Sequence, residues 1–155
     1  ITGPAADRGV VFQGDDSLYG WLSALGNVEF GLRMRGVPAA ERHGKAQHFL
    51  QLVGLKGQDH KHPSELSGGM KQRIQIARAL VCESPILLMD EPFAALDAQT
   101  RDDLQAELQA VAVRIGATVL FVTHNVRDLR SGELQFPAVR VLTPAALLKE
   151  FPCPP

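Results

Sequence analysis

The chain has 155 residues, of which 45% are hydrophobic, so it has the length of one domain with a real core and is too apolar for a disordered tail. Lys plus Arg number 16 against 17 Asp plus Glu, and the resulting net charge of -1 gives no electrostatic case for nucleic acid or for direct binding to an anionic membrane. No apolar run approaches the length of a membrane span, and the only cysteines, Cys82 and Cys153, have neither metal-ligand spacing nor a disulfide-rich context, which fits a reduced cytosolic compartment. The chain opens on Ile1 with no charged-then-apolar leader, and its first residues read as mid-domain sequence, as expected of a fragment or a remnant.

Arg8 to Gln13, RGVVFQ, is a β-branched and aromatic run closed by a polar residue, and Gly14, Asp15 and Asp16 then form a turn. This predicts parallel strand near 9 to 13 with Gln13 at its end; an isolated VVFQ would simply end a strand in solvent. From Ser17 to Gly36, Val28, Leu32 and Arg35 follow helical spacing and Gly36 offers a stop, while Trp21 reads as ordinary packing. Pro38 starts a second helix whose apolar face, Ala46, Phe49, Leu50 and Val53, runs to about Gly54. His43, His48 and His60 share no helix face and lack a Cys or carboxylate cluster, so they read as solvated or capping residues rather than metal ligands.

After a turn at His62, Pro63 and Ser64 comes the stretch on which the chemistry rests, LSGGMKQRIQIARALVCESPILLMDEPFAALD, from Leu66 to Asp97. Ser67 is placed to cap a helix, and Gly68 and Gly69 leave its amide-rich, dipole-positive end open to a phosphate. Met70, Ile74, Ala77 and Val81 recur along one face, with Lys71, Arg73 and Arg78 elsewhere, which predicts an amphipathic helix that Pro85 stops. Ile86 to Met89 is a continuous apolar run, expected of a parallel strand covered on both faces, and Asp90 and Glu91 stand at its carboxyl end. Ligands of open α/β sheets bind at that end: Asp90 could hold the Mg²⁺ of a nucleoside triphosphate and Glu91 could orient an attacking water. Leu104, Leu108, Val111 and Ile115 then mark a core-facing helix over 98 to 115, ended by Gly116, and Ala117 to Val122 reads as another buried strand with Thr123 and His124 at its end. A lone histidine there is usually a surface or satisfied core residue. Val126 to Pro137 has poor periodicity and no chemical role, as expected of an insertion, divergence or frame disturbance.

LSGGMKQR resembles the signature motif of ABC-type ATPases, ILLMDEP their Walker B motif with its catalytic glutamate, and AALD at 94 to 97 their D-loop, although alanine stands at 95 where that family usually has serine. The two longer motifs in this order and spacing are a strong signal. The resemblance implies an α/β fold: a P-loop NTPase-like parallel sheet with strands near 9 to 13, 86 to 90 and 118 to 122. It also implies a helical signature subdomain over 22 to 80, a Walker B to H-loop core over 81 to 125 and a divergent segment over 126 to 155. No GxxxxGK followed by Ser or Thr occurs, so the phosphate-cradling loop of the family is missing from these 155 residues and the domain is partial, with a gap or exposed edge expected in its sheet. By the same resemblance Gln13 is the Q-loop glutamine and His124 the switch histidine. Gln13, Asp90, Glu91 and His124 would serve Mg²⁺ and ATP on their own subunit, Ser67, Gly68 and Gly69 would close on the nucleotide of a second ABC subunit in a head-to-tail dimer, and Asp97 would link the two sites. Trp21 with Asn27 to Gly31 is similar, more loosely, to the importers of nitrate, sulfonates and taurine. The implied place is cytoplasmic, peripheral at the inner face of the cell membrane through permease subunits, with no direct membrane insertion and no nucleic acid. The parent would then hydrolyse ATP to drive uptake while this stretch alone stays inactive. The competing expectation is a non-catalytic module that pairs with an intact ABC ATPase; a soluble ATPase of DNA repair or translation lacks a coiled-coil insertion or basic patch to support it.

Overall fold

The computed structural model describes residues 8–12, 17–93 and 98–122. Its elements in chain order are β1 (Arg8–Val11), α1 (Ala24–Met34), α2 (Ala39–Leu52), a 3₁₀ turn (Pro63–Glu65), α3 (Gly68–Leu80), β2 (Ile86–Asp90), α4 (Ala98–Ile115) and β3 (Thr118–Val122). Three strands lie where sequence places them, although β1 ends at Val11 rather than at Gln13.

The strands form one parallel sheet in the order β1-β2-β3, with Arg8 opposite Ile86, Val11 opposite Met89 and Asp90 opposite Val122. Parallel neighbours need long crossovers, and here α1 to α3 supply the first and α4 the second. Among the described residues β1 and β3 are the edge strands.

Several helix ends have a local reason. Ser23 caps α1, its Oγ accepting from the Gly26 amide at 3.2 Å. Pro38 precedes α2 as its cap rather than sitting in the first turn, and α2 runs out before Gly54, whose φ of +72° suits glycine. Gly116, at φ +66°, does the same after α4. Ala46, Phe49, Leu50 and Val53 of the second helical segment are all buried, with Val28 and Leu32 of α1.

Two expectations need correction. First, α3 is not simply amphipathic: Gln72, Ile74, Gln75, Ile76, Ala77, Ala79 and Leu80 are all buried. The helix packs against α1, α2 and β1, so it has neighbours on more than one side. It also ends at Leu80, well before Pro85, through a turn in which Glu83 takes a φ of +48°. Second, β2 is not fully covered on both faces; Leu87 and Met89 are buried while Ile86, Leu88 and Asp90 are only partly so. The buried side is the one α3 seals. A Cβ on Gly9 would come within 2.8 Å of Leu87 Cδ2 and 3.3 Å of the Ala79 carbonyl, so the strand and helix approach closely only because residue 9 has no side chain.

Candidate functional site

The two halves of the motif-bearing stretch meet the expectations differently. At the start of α3, Ser67 has extended backbone and its Oγ accepts from the Met70 amide at 3.3 Å, which is the cap expected of it. Ser67 and Gly68 are exposed. A Cβ at Gly68 would meet nothing within 4 Å and its φ is not positive, so nothing among the described residues requires glycine there. Its effect is on the outside: the remaining amides of the first turn stay open to whatever approaches.

At the other end, Asp90 is the last residue of the central strand and is half-buried, and Glu91 follows it immediately. Glu91 has a φ of +43°, left-handed for a residue that is not glycine and that precedes a proline, where extended backbone is favoured. Such a conformation costs on the order of 1–3 kcal/mol and persists only where surrounding structure holds it. The register puts Val11, Asp90 and Val122 at the same edge of the sheet, so all three strands deliver their carboxyl ends together. Gln13, Asp97 and His124 lie outside the described residues.

Several long-range ties that the sequence does not advertise hold this frame. Arg73, on α3, donates to Thr100 Oγ1 on α4 at 2.9 Å. Arg35 at the end of α1 donates to the Cys82 carbonyl at 2.6 Å and to Ser84 Oγ at 3.3 Å, fixing the turn that leads into β2. Burial pushes the Cys82 thiol above the usual thiol range, with Arg35 and Arg78 pulling it partway back. Arg78 binds Ser17, and Asn27, wholly buried, holds the Tyr19 to Ser23 loop.

Trp21 is not the ordinary packing residue expected from its sequence: it is 73% exposed and leans on Tyr19, ring centroids 5.2 Å apart. His43, His48 and His60 are exposed as expected; His43 Nδ1 lies 3.0 Å from the Glu29 carboxylate, and among the described residues no group of three or more His, Cys, Asp or Glu could hold a metal on its own. A half-buried Asp90 beside Glu91 still fits Mg²⁺, which takes one or two carboxylates together with water and substrate phosphates rather than an all-protein cage.

Comparison with known proteins decides the family, because the model of the ABC transporter family matches residues 3–94. The chain belongs to that family. Among its relatives, an uncharacterized ABC transporter ATP-binding protein of Methanocaldococcus jannaschii is 52% identical over 128 residues, and a taurine import ATP-binding protein of Pseudomonas putida is 50% identical over 128. A nitrate import ATP-binding protein of Synechocystis is 47% identical over the same length. Each match takes in 83% of this chain and 48% of the relative, so the chain spans about half the length of the curated relatives it matches. The fold agrees: an ATP-binding cassette, in a dimeric structure of a post-hydrolysis state bound to ADP and Pi, superposes with a TM-score of 0.70 at 36% identity, over 77% of this chain and 53% of that one. The α/β parallel-sheet architecture of a partial ABC ATPase domain is therefore established.

Proposed function

We propose that the protein to which these 155 residues belong is the ATP-binding and hydrolysing subunit of an importer for a small solute of the nitrate, sulfonate or taurine kind. The observation that carries this reading is the pairing, in one ABC-family chain, of a capped helix start left open over Gly68 with two adjacent carboxylates at the carboxyl end of the central strand. The relatives named for taurine and nitrate import support the solute class.

In this reading Glu91, on its left-handed backbone, holds and deprotonates the attacking water. Asp90 would hold Mg²⁺, usually through water, and the ion would supply charge neutralisation for phosphoryl transfer. Gln13 and His124 serve the same nucleotide. Ser67, Gly68 and Gly69 close on the nucleotide of a second ABC subunit, the dimeric cassette among its structural relatives supporting that pairing, and Asp97 links the two sites. The helical subdomain is 22–80, the Walker B to H-loop core 81–125 and the divergent segment 126–155. No helix among the described residues is long and apolar enough to cross a membrane, so attachment at the inner face would run through permease subunits.

One observation favours a second reading for the isolated stretch. The 155 residues contain no GxxxxGK followed by Ser or Thr, so this stretch by itself lacks the loop needed to turn ATP over and would serve only as a module that pairs with an intact ABC ATPase. Both statements are tested together. A longer protein that carries the phosphate loop should hydrolyse ATP, and Glu91→Gln should lower kcat by about 10²–10⁴-fold without unfolding it, as loss of a general base does. Steady turnover by the 155-residue chain, abolished by the same substitution, would refute its inactivity.

A further inference from the structure

The reading above uses the first turn of α3 and leaves its last turn without a role. Arg78 stands there, and its guanidinium leaves the helix for a segment 61 residues earlier: Nη1 donates to the Ser17 carbonyl at 2.8 Å and Nη2 to Ser17 Oγ at 3.1 Å. The same group lies over the Tyr19 ring, 5.5 Å from its centroid. Burial draws Arg78 below the ordinary guanidinium range, with Tyr19 and Cys82 opposing, so the cation has left bulk water to make these contacts. Two parallel donors and a stacked plane fix orientation as well as distance, which a lysine ammonium cannot do.

The loop thus gripped is tied at its far end too. Asn27 on α1 accepts from the Tyr19 amide at 2.8 Å and donates to the carbonyls of Tyr19, Leu22 and Ser23 at 3.0–3.1 Å. Main-chain groups of residues 17–23 are therefore answered by one side chain from α3 and one from α1, and the loop carries the exposed Trp21.

We infer that Arg78 is a positioning residue that makes the 17–23 loop follow α3, so that a displacement of Ser67–Gly69 at one end of the helix is delivered to the loop at the other. The inference rests on the ATPase reading, since closure on a nucleotide supplies the displacement. A helix is stiff along its axis, and a bidentate contact at its last turn leaves little play between it and the loop.

A purely structural Arg78 would hold the loop equally with and without nucleotide, and that difference is measurable. In the full-length protein carrying Glu91→Gln to retain ATP, hydrogen exchange of the amides in 17–23 should slow by about threefold or more when Mg²⁺-ATP is added. Arg78→Lys should bring that ratio close to one while the affinity for a fluorescent ATP analogue changes less than about twofold. An ATP effect on the loop that survives Arg78→Lys, or a loop that ignores ATP in the protein with Arg78, overturns the inference. Should Arg78→Lys not fold, Ser17→Ala removes one acceptor and should cut the ATP effect by about half; an undiminished effect likewise overturns it. Failure of the analogue to bind at all refutes the ATPase reading and the linkage with it.

Discussion

Ser67 and Glu91 bracket one helix-turn-strand unit, yet they are held in opposite ways. Around Ser67 the backbone is ordinary, the cap bond is made, and the glycine beside it fills no internal need. Around Glu91 the backbone is left-handed where both residue type and the following proline disfavour it. The first end is a relaxed, open surface suited to meeting another molecule. The second is a strained position maintained by the fold, which suits the water-activating role proposed for Glu91. The difference separates two kinds of functional residue: those chosen for what they leave uncovered, and those chosen despite their local cost.

Substitutions sharpen that contrast. At the open end the largest effect should come from Gly68→Asp in the full-length protein. A carboxylate at the start of α3 suits the helix dipole, so stability should hold or rise slightly, while ATP turnover should fall by about tenfold or more because an anion now occupies the phosphate approach. Turnover that is unchanged would mean the open amides do not face nucleotide. Next, the two ends should differ in their response to small residues. Ser67→Ala should cost about 1 kcal/mol in denaturant unfolding, the usual loss of a cap. At position 91 glycine should be more stable than alanine by about 1 kcal/mol, since only the alanine retains the left-handed penalty. Equal stability of Glu91→Gly and Glu91→Ala would remove the strain from the comparison.

The smallest effect concerns the turn between the two ends. Burial raises the Cys82 thiol pKa, so the folded state keeps its proton to higher pH than the unfolded chain. Its contribution to stability is therefore complete below the ordinary thiol pKa and is lost as pH climbs through the raised one. Unfolding midpoints measured across the alkaline range should decline more steeply with Cys82 than with Cys82→Ser.

Much of this architecture was legible in the sequence because it is written locally. Caps, glycine stops and apolar spacing place α3, α4 and all three strands within a few residues, and two adjacent carboxylates after an apolar run mark the candidate site. What escaped is what depends on distant partners. Gln72 and Gln75 have no place in the apolar spacing and yet are buried, because α3 meets β1 as well as α1 and α2. The grips of Arg35 on Cys82 and Arg78 on Ser17 join residues with no periodic relation. Trp21 is exposed because its loop is pinned by Asn27 and Arg78, and the left-handed Glu91 is likewise a property of its surroundings.

The parallel pairing of Arg8–Val11 with Ile86–Met89 has a further consequence, for the order of folding. Helices α1 to α3 lie between these strands in the chain and make contacts with one another at shorter sequence separation, so they can collapse before the long loop closure that the β1–β2 ladder demands. Chains emerge from the ribosome amino end first, so β1 is synthesised well before the β2 strand it pairs with. The β1–β2 ladder is thus completed only once the Asp90–Glu91 strand has arrived.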